Sequence, residues 1–357
     1  MRAARLTTHI VPALAVALAL TLAGCSSSGG AAVGAPSTAV SSPTEIPSGS
    51  PTPASTPEPA RTLAADASPL SGRPGGAGKP VLVVKLDNTT FAQPHAGLTK
   101  ADVVYVEEVE FGLTRLAAVF SSSLPKVVGP VRSARISDID LLGQYGTPAF
   151  AYSGSQQRMH PLLAAASLYD VSGDKGAMGW FRDSGRRPPY NFMGRPTQLF
   201  ERAPKASTSK DIGFAFAYET PAGGTAVRKV TATYPGSQAQ FVWSSAEKAF
   251  DVRLNRRPAR AAEGGTQKAT TVVIQYVKQY DSGFGDSYGG RTPKEETIGS
   301  GTGLVLRDGQ SWPVTWSRSS RTSGTRFVGA DGEVVAFAPG QVWVVLVNKK
   351  KPVSISR

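Results

Sequence analysis

Pro80-Val81-Leu82-Val83-Val84-Lys85-Leu86-Asp87-Asn88 is the stretch on which the reading of the fold turns. An apolar run broken only by Lys85 does not alternate between a wet and a dry face. It reads as a strand covered on both sides, ending in the polar pair Asp87 and Asn88. Working outward, residues 101–108 and 114–121 read as two further strands, with Glu110-Phe111-Gly112-Leu113 as a hairpin connection. After Gly129-Pro130, residues 133–145 place Ile136, Ile139, Leu142 and Tyr145 at helical spacing. Pro148-Ala149-Phe150-Ala151-Tyr152 reads as another strand, and Ser155 is placed to cap a helix over 159–168. Strands alternating with helices around a doubly covered first strand predict an α+β or α/β layer structure.

From about residue 212 the texture changes. Short β-prone runs at 227–234, 240–243, 271–277, 304–307, 314–316 and 342–347 dominate, with Asp308-Gly309 and Asp331-Gly332 as turn signals. The expectation is a mixed N-terminal sheet with helices over 69–210, followed by a mainly β part over 211–357. That second part either stands as its own domain or extends the first sheet.

The start of the chain has a different character. Arg2 and Arg5 precede an apolar stretch at 10–22, too short to span a bilayer comfortably and fitting a signal-peptide core. It ends in Leu22-Ala23-Gly24-Cys25, the pattern of a lipobox, in which small residues admit the signal peptidase and the thiol takes the lipid. The chain has one cysteine in 357 residues, so it forms no internal disulfide and its single thiol stands where a lipid would go. Residues 1–24 are therefore expected to be a signal peptide and Cys25 the lipidation site, holding the chain on the extracytoplasmic face of the cell membrane. The segment 26–68 is Ser, Pro, Ala, Gly and Thr, with charges only at Glu45, Glu58, Arg61 and Asp66. Such a composition buries too little to fold, and predicts a disordered tether reaching roughly 35 Å as a flexible coil.

The formal net charge is +13, from 39 Lys+Arg against 26 Asp+Glu. This excess favours anionic partners: lipid headgroups, phosphate-bearing wall polymers or nucleic acid, of which export makes nucleic acid the least suitable.

The most informative chemistry lies in Val128-Gly129-Pro130-Val131-Arg132-Ser133-Ala134-Arg135. If a helix starts here, Arg132 and Arg135 face one side together with the free N–H groups of the helix end, and Arg115 on the preceding strand joins them. Planar guanidinium forks beside Ser133, Asp87 and Asn88 suit a phosphate or carboxylate. The alternative from the same residues is a purely structural network with Glu107, Glu108, Glu110, Asp138 or Asp140. A second segment, 173–193, gathers Arg182, Asn191 and aromatics in a long loop, which reads as a ligand-contacting loop or as a surface loop pinned by Trp180 and Phe192.

Other chemistries find little support. His95 and His160 are isolated and no second thiol exists, so a His/Cys metal site is not expected. Ser153-Gly154-Ser155 lacks the flanking glycines of a nucleophile elbow, and Gly299-Ser300-Gly301-Thr302-Gly303 is followed by a strand with no Gly-Lys-Ser/Thr.

Together these residues resemble the YerB-like bacterial lipoproteins, a family of unknown molecular function with N- and C-terminal parts. The resemblance runs through Pro69-Leu70-Ser71-Gly72, Asp87-Asn88, Gly97-Leu98, Ala101-Asp102-Val103-Val104-Tyr105 and Thr114-Arg115. It is most specific at Gly129-Pro130-Val131-Arg132-Ser133-Ala134-Arg135, with echoes at 299–309 and 325–343. One departure is Pro189-Tyr190-Asn191, where the family often shows Pro-His-Asn. The resemblance implies an envelope location and a two-part architecture but no reaction. The expected function is a non-catalytic envelope module whose arginine site binds an anionic wall polymer, a lipid-linked precursor or a partner protein's carboxylates, with no cofactor. A fainter resemblance, to wall-polymer ligases of the LytR–CpsA–Psr type, implies the alternative. This is a metal-assisted phosphotransferase or hydrolase acting on lipid-linked precursors, with Asp87 and Asp102 as its acidic candidates.

Overall fold

β1 (Leu82–Asp87) is buried along its whole length. It lies between antiparallel β3 (Thr114–Phe120) and parallel β4 (Ala149–Ala151), and β2 (Val103–Glu108) forms a hairpin with β3. This is a computed structural model that describes residues 61–286, 288–351 and 353–357. The signal sequence, Cys25 and the tether up to residue 60 lie outside the described residues. Ser68, at the end of the stretch read as tether, is fully buried, and its amide donates to the Arg73 carbonyl.

β5 (Tyr169–Asp170) extends the sheet beyond β4, and β6 (Trp180–Arg182) pairs with β7 (Phe192–Gly194) as a separate ribbon. Beyond residue 211 come β8 (Thr225–Ala226), β9 (Lys229–Thr233), β10 (Gln238–Ser244), β11 (Ala249–Leu254), β12 (Arg257–Pro258) and β13 (Lys268–Ala269). The long β14 (Thr271–Gly285) and its partner β15 (Arg291–Glu296) follow, then β16 (Gly299–Arg307), β17 (Gln310–Arg318), β18 (Arg326–Val328), β19 (Val342–Asn348) and β20 (Ser354–Ser356). Their arrangement gives one large sheet in the order β18-β17-β16-β14-β19-β2-β3-β1-β4-β5, with β15 on β14 and β8 on β17. A smaller sheet runs β12-β11-β10-β9-β20, with β13 on β11. The protein is thus a mixed N-terminal sheet with helices followed by a strand-rich C-terminal part. The two are joined because β19 inserts parallel between β14 and β2.

Both faces of the central strands β1, β2, β3 and β19 are dry, which explains the apolar run of β1. Leu82, Val84, Val104, Leu116 and Ala118 point to one side and pack on Phe241, Phe250 and Val252 of the smaller sheet. There Trp343 meets Phe241 edge-on at 5.7 Å. Val83, Val103, Tyr105, Ala117 and Val119 point to the other side, under α1 (Ile136–Leu142).

The helices are shorter than the sequence spacing predicts. Residues 132–135 are extended, not helical. The Arg132 amide donates to the Lys85 carbonyl and the Ser153 amide to the Arg132 carbonyl, drawing the segment alongside the sheet. α1 therefore begins only at Ile136. α2 (His160–Ala165) is preceded by a 3-10 turn at Gln157–Met159, so Ser155 does not cap it, and its hydroxyl finds no partner. α3 (Pro196–Glu201), with proline in its first turn, follows β7. Among the described residues no helix is long and apolar enough to cross a membrane.

Candidate anion site

In paired strands, directly opposed residues share a face. Asp87, Arg115 and Glu107 are in register across β1, β3 and β2, with Lys85 one pleat further in. The face that is apolar beneath α1 therefore turns charged at the carboxyl ends of the parallel strands β1, β2 and β4. This is where ligands sit in open α/β sheets.

The innermost charges form a closed network. Lys85, fully buried, donates to Glu107 Oε1 at 2.6 Å and to Asp138 Oδ1 at 2.7 Å. Burial, then the Asp138 carboxylate, pushes the Glu107 carboxyl up to about 7. Burial and the nearby Glu107 push Glu295 of β15 up as well. The sequence reading missed Lys85 as a network centre. Its one signal was a lone lysine inside a doubly covered strand, which has to find acidic partners.

The arginines divide among three environments. Arg135 is bidentate to Glu110, Nε to Oε1 at 2.6 Å and Nη2 to Oε2 at 2.7 Å, while its amide donates to Asp138. Asp138 thus already serves the start of α1, and the free helix end expected from the sequence is occupied. Arg115 is buried and donates through Nη1 to the Ser133 carbonyl at 2.7 Å. Burial first, then the neighbouring Arg135 guanidinium, pushes it down to about 9; Arg132 adds to this. Arg132 is a third exposed, and its Nε lies 2.9 Å from Asp87 Oδ2.

Arg132 and Arg135 therefore do not share a helix face. Arg135 and Ser133 line a cleft of 460 Å³ with Ser155, Gln156 and Thr292. Arg132 lines a neighbouring cleft of 330 Å³, and there it meets Arg182 of β6, with Ser153, Asp174 and Phe192. Arg182 is held from behind, its Nη1 donating to the buried Asn191 Oδ1 at 2.9 Å, and its guanidinium lies 5.4 Å from the Phe192 ring centre. Asp87 is spoken for, because Oδ1 accepts the amide and hydroxyl of Thr89 while Oδ2 faces Arg132. Asn88 turns inward, donating to the Thr114 hydroxyl. The long loop of 173–193 thus brings Arg182 and Asn191 beside Arg132.

Asp102 belongs elsewhere. It precedes β2, at the opposite end of that strand from the charged face, and accepts the Ser121 and Ser122 amides, both at 2.8 Å. Asp87 and Asp102 do not converge. Among the described residues no group of three or more His, Cys, Asp or Glu side chains is arranged to hold a metal ion.

Comparison with known proteins agrees with this two-part sheet. Residues 70–209 match the N-terminal domain, and residues 230–344 the C-terminal domain, of the protein family of unknown function DUF3048. The chain belongs to this family. A relative from Bacillus subtilis (strain 168), named "Putative lipoprotein YerB", is 24% identical over 294 residues, covering 78% of this chain and 84% of the relative. The crystal structure of the YerB protein from Bacillus subtilis superposes with a TM-score of 0.68 at 21% identity, over 82% of this chain and 99% of that one. That likeness shows the fold. This DUF3048 member keeps the mixed sheet, and the arginine-lined clefts lie within its N-terminal family domain, apart from the wall that β14 and β15 give the larger cleft.

Proposed function

We propose that the protein is a membrane-anchored envelope lipoprotein that binds a phosphate- or carboxylate-bearing ligand at Arg132 and Arg182. The observation that carries this reading is that Arg132 and Arg182 line one open cleft, Arg132 ion-paired with Asp87 and Arg182 hydrogen-bonded to Asn191. These contacts fix the forks before the ligand arrives, which lowers the ordering cost of binding. Arg115, buried behind the segment that carries Arg132, adds positive charge that the ligand offsets. Arg135 is consumed by Glu110 and supports the site without facing that cleft.

The lipobox at Cys25 and the lipoprotein name of the relative support anchoring to the outer face of the membrane. In that place an anionic wall polymer, a lipid-linked precursor or the carboxylates of an envelope protein are the ligands within reach. Binding is the function proposed and turnover is not, since the acidic candidates Asp87 and Asp102 lie apart and are both engaged.

The test is calorimetric titration of the full chain in detergent with inorganic pyrophosphate and with phosphate-bearing wall fragments. The expected result is binding that vanishes in Arg132→Ala/Arg182→Ala while its melting temperature stays close to wild type. Absence of binding by the wild-type chain would sink the reading and direct the search to crosslinked envelope proteins.

A further inference from the structure

Beside the Arg132–Arg182 cleft lies a more enclosed pocket of 350 Å³, inside the range of roughly 300–1,000 Å³ that small-molecule sites occupy. The two share Asp174, which lines both. Their walls are built as one unit. The Ala134 amide donates to the Gly154 carbonyl, the Ser153 amide to the Arg132 carbonyl and the Gly173 amide to the Tyr152 carbonyl, so the 132–134 segment and the stretches that follow β4 and β5 run side by side. A ligand lying across those ends enters both.

The chemistry of the pocket is that of a hydroxyl-bearing ring. One wall is apolar, from Leu163, Ala164 and Leu168. The rest of the lining is polar and includes Asp174, Lys175, His160 and Ser172. Ser172 is fully buried, with its hydroxyl beside that of Tyr152. Asp170 does not make the pocket a cation site, because its carboxylate already accepts the Tyr152 hydroxyl at 2.6 Å and the Ser172 amide at 2.9 Å. A partner that both donates and accepts over a short distance, while presenting C–H groups to an apolar wall, is a saccharide ring.

We infer that this pocket is a saccharide subsite, and that the ligand is an anionic glycan whose phosphate or carboxylate group reaches Arg132 and Arg182 across Asp174. The inference rests on the anion-binding reading above and names the class of ligand for it.

The experiment compares inorganic phosphate, glucose 1-phosphate and N-acetylglucosamine 1-phosphate as probes, titrated into the full chain in detergent. Ala164→Trp runs beside the wild type, since Ala164 is exposed and its replacement fills the pocket without entering the core. Its melting temperature is checked first. The expected result is that at least one sugar phosphate binds about tenfold or more tightly than phosphate, a difference of about 1.4 kcal/mol. Ala164→Trp is expected to erase that difference and leave phosphate binding unchanged. If phosphate binds and neither sugar phosphate binds more tightly, the saccharide subsite is overturned while the anion site stands. A sugar-phosphate advantage that survives Ala164→Trp also overturns it, because the sugar then sits elsewhere. If neither phosphate nor sugar phosphate binds, the anion reading fails and this inference fails with it.

Discussion

Arg135 and Glu110 clasp each other through two parallel hydrogen bonds, Nε to Oε1 at 2.6 Å and Nη2 to Oε2 at 2.7 Å, with both side chains largely buried. Glu110 sits in the turn between β2 and β3, where Phe111 adopts a left-handed conformation at φ 61°. Arg135 stands at the start of α1, and the Thr292 hydroxyl of β15 also reaches Glu110. The pair thus ties three separate chain segments around the charged face. Removing one partner strands a buried charge, so Glu110→Ala and Arg135→Ala are each expected to lose on the order of 3 kcal/mol. The double variant should lose clearly less than the sum. Urea denaturation of the four proteins checks this, and strictly additive losses would contradict the pairing.

The Glu107 carboxyl gives a pH prediction. Burial, then Asp138, raises it from an ordinary 4.5 to about 7, and Glu295 is raised too. Between those values the folded state holds a proton that the unfolded state has released. Stability is therefore greatest at the acidic end of that window and falls as pH rises through about 7. Glu110 and Asp140 act in the opposite sense. Against their burial, Arg135 holds the first and Lys294 the second below the usual range, so their contribution is lost as pH drops through the carboxylate region. The melting temperature should peak near pH 5 and decline towards pH 8. Glu107→Gln should flatten the decline, and a melting temperature that rises from pH 5 to 8 would refute the assignment.

How much of this was legible in the sequence depended on local signals. β1 announced itself because both its faces are dry, and the β2–β3 hairpin followed from its turn residues. The strand-rich second half was legible for the same reason, yet β14 was read only as far as residue 277 and runs to Gly285. Its outer part is largely exposed where it pairs with β15 and carries no apolar alternation to mark it. The 132–135 segment misled because helical spacing from Ile136 onward is real. What stops the helix from starting earlier is a long-range pairing with Lys85 and Ser153 that no local pattern encodes. The convergence of Arg132 with Arg182 was hidden for the same reason: the two sit fifty residues apart, and only the folding back of the 173–193 loop unites them.

Anchoring has its own test. If Cys25 carries the lipid, Cys25→Ser should shift the chain from the membrane fraction to the soluble fraction, with the mass of the wild-type protein exceeding that of its polypeptide by a diacylglyceryl group. Fractionation and intact-mass measurement read both. A variant that stays on the membrane with an unaltered mass would remove the lipid from the account.

Asp102 separates structure from chemistry at the other end of the sheet. Its Oδ2 accepts the Ser121 and Ser122 amides, its Oδ1 accepts the Ser71 and Ser122 hydroxyls, and the residue is fully buried. Replacing it by alanine leaves the buried Ser121 amide and Ser71 hydroxyl without their acceptor, at about 1–3 kcal/mol each, while the part-exposed Ser122 groups turn to water. Asp102→Ala is therefore expected to be among the most destabilising single changes in the chain, read as a lower urea midpoint. It should leave pyrophosphate affinity unchanged under conditions where the variant is folded, because Asp102 stands roughly 16 Å from the other end of β2 and the arginine cleft lies at that opposite end of the sheet. The converse pattern, normal stability with lost binding, would mean that Asp102 faces the ligand and that the two ends of the sheet work as one site.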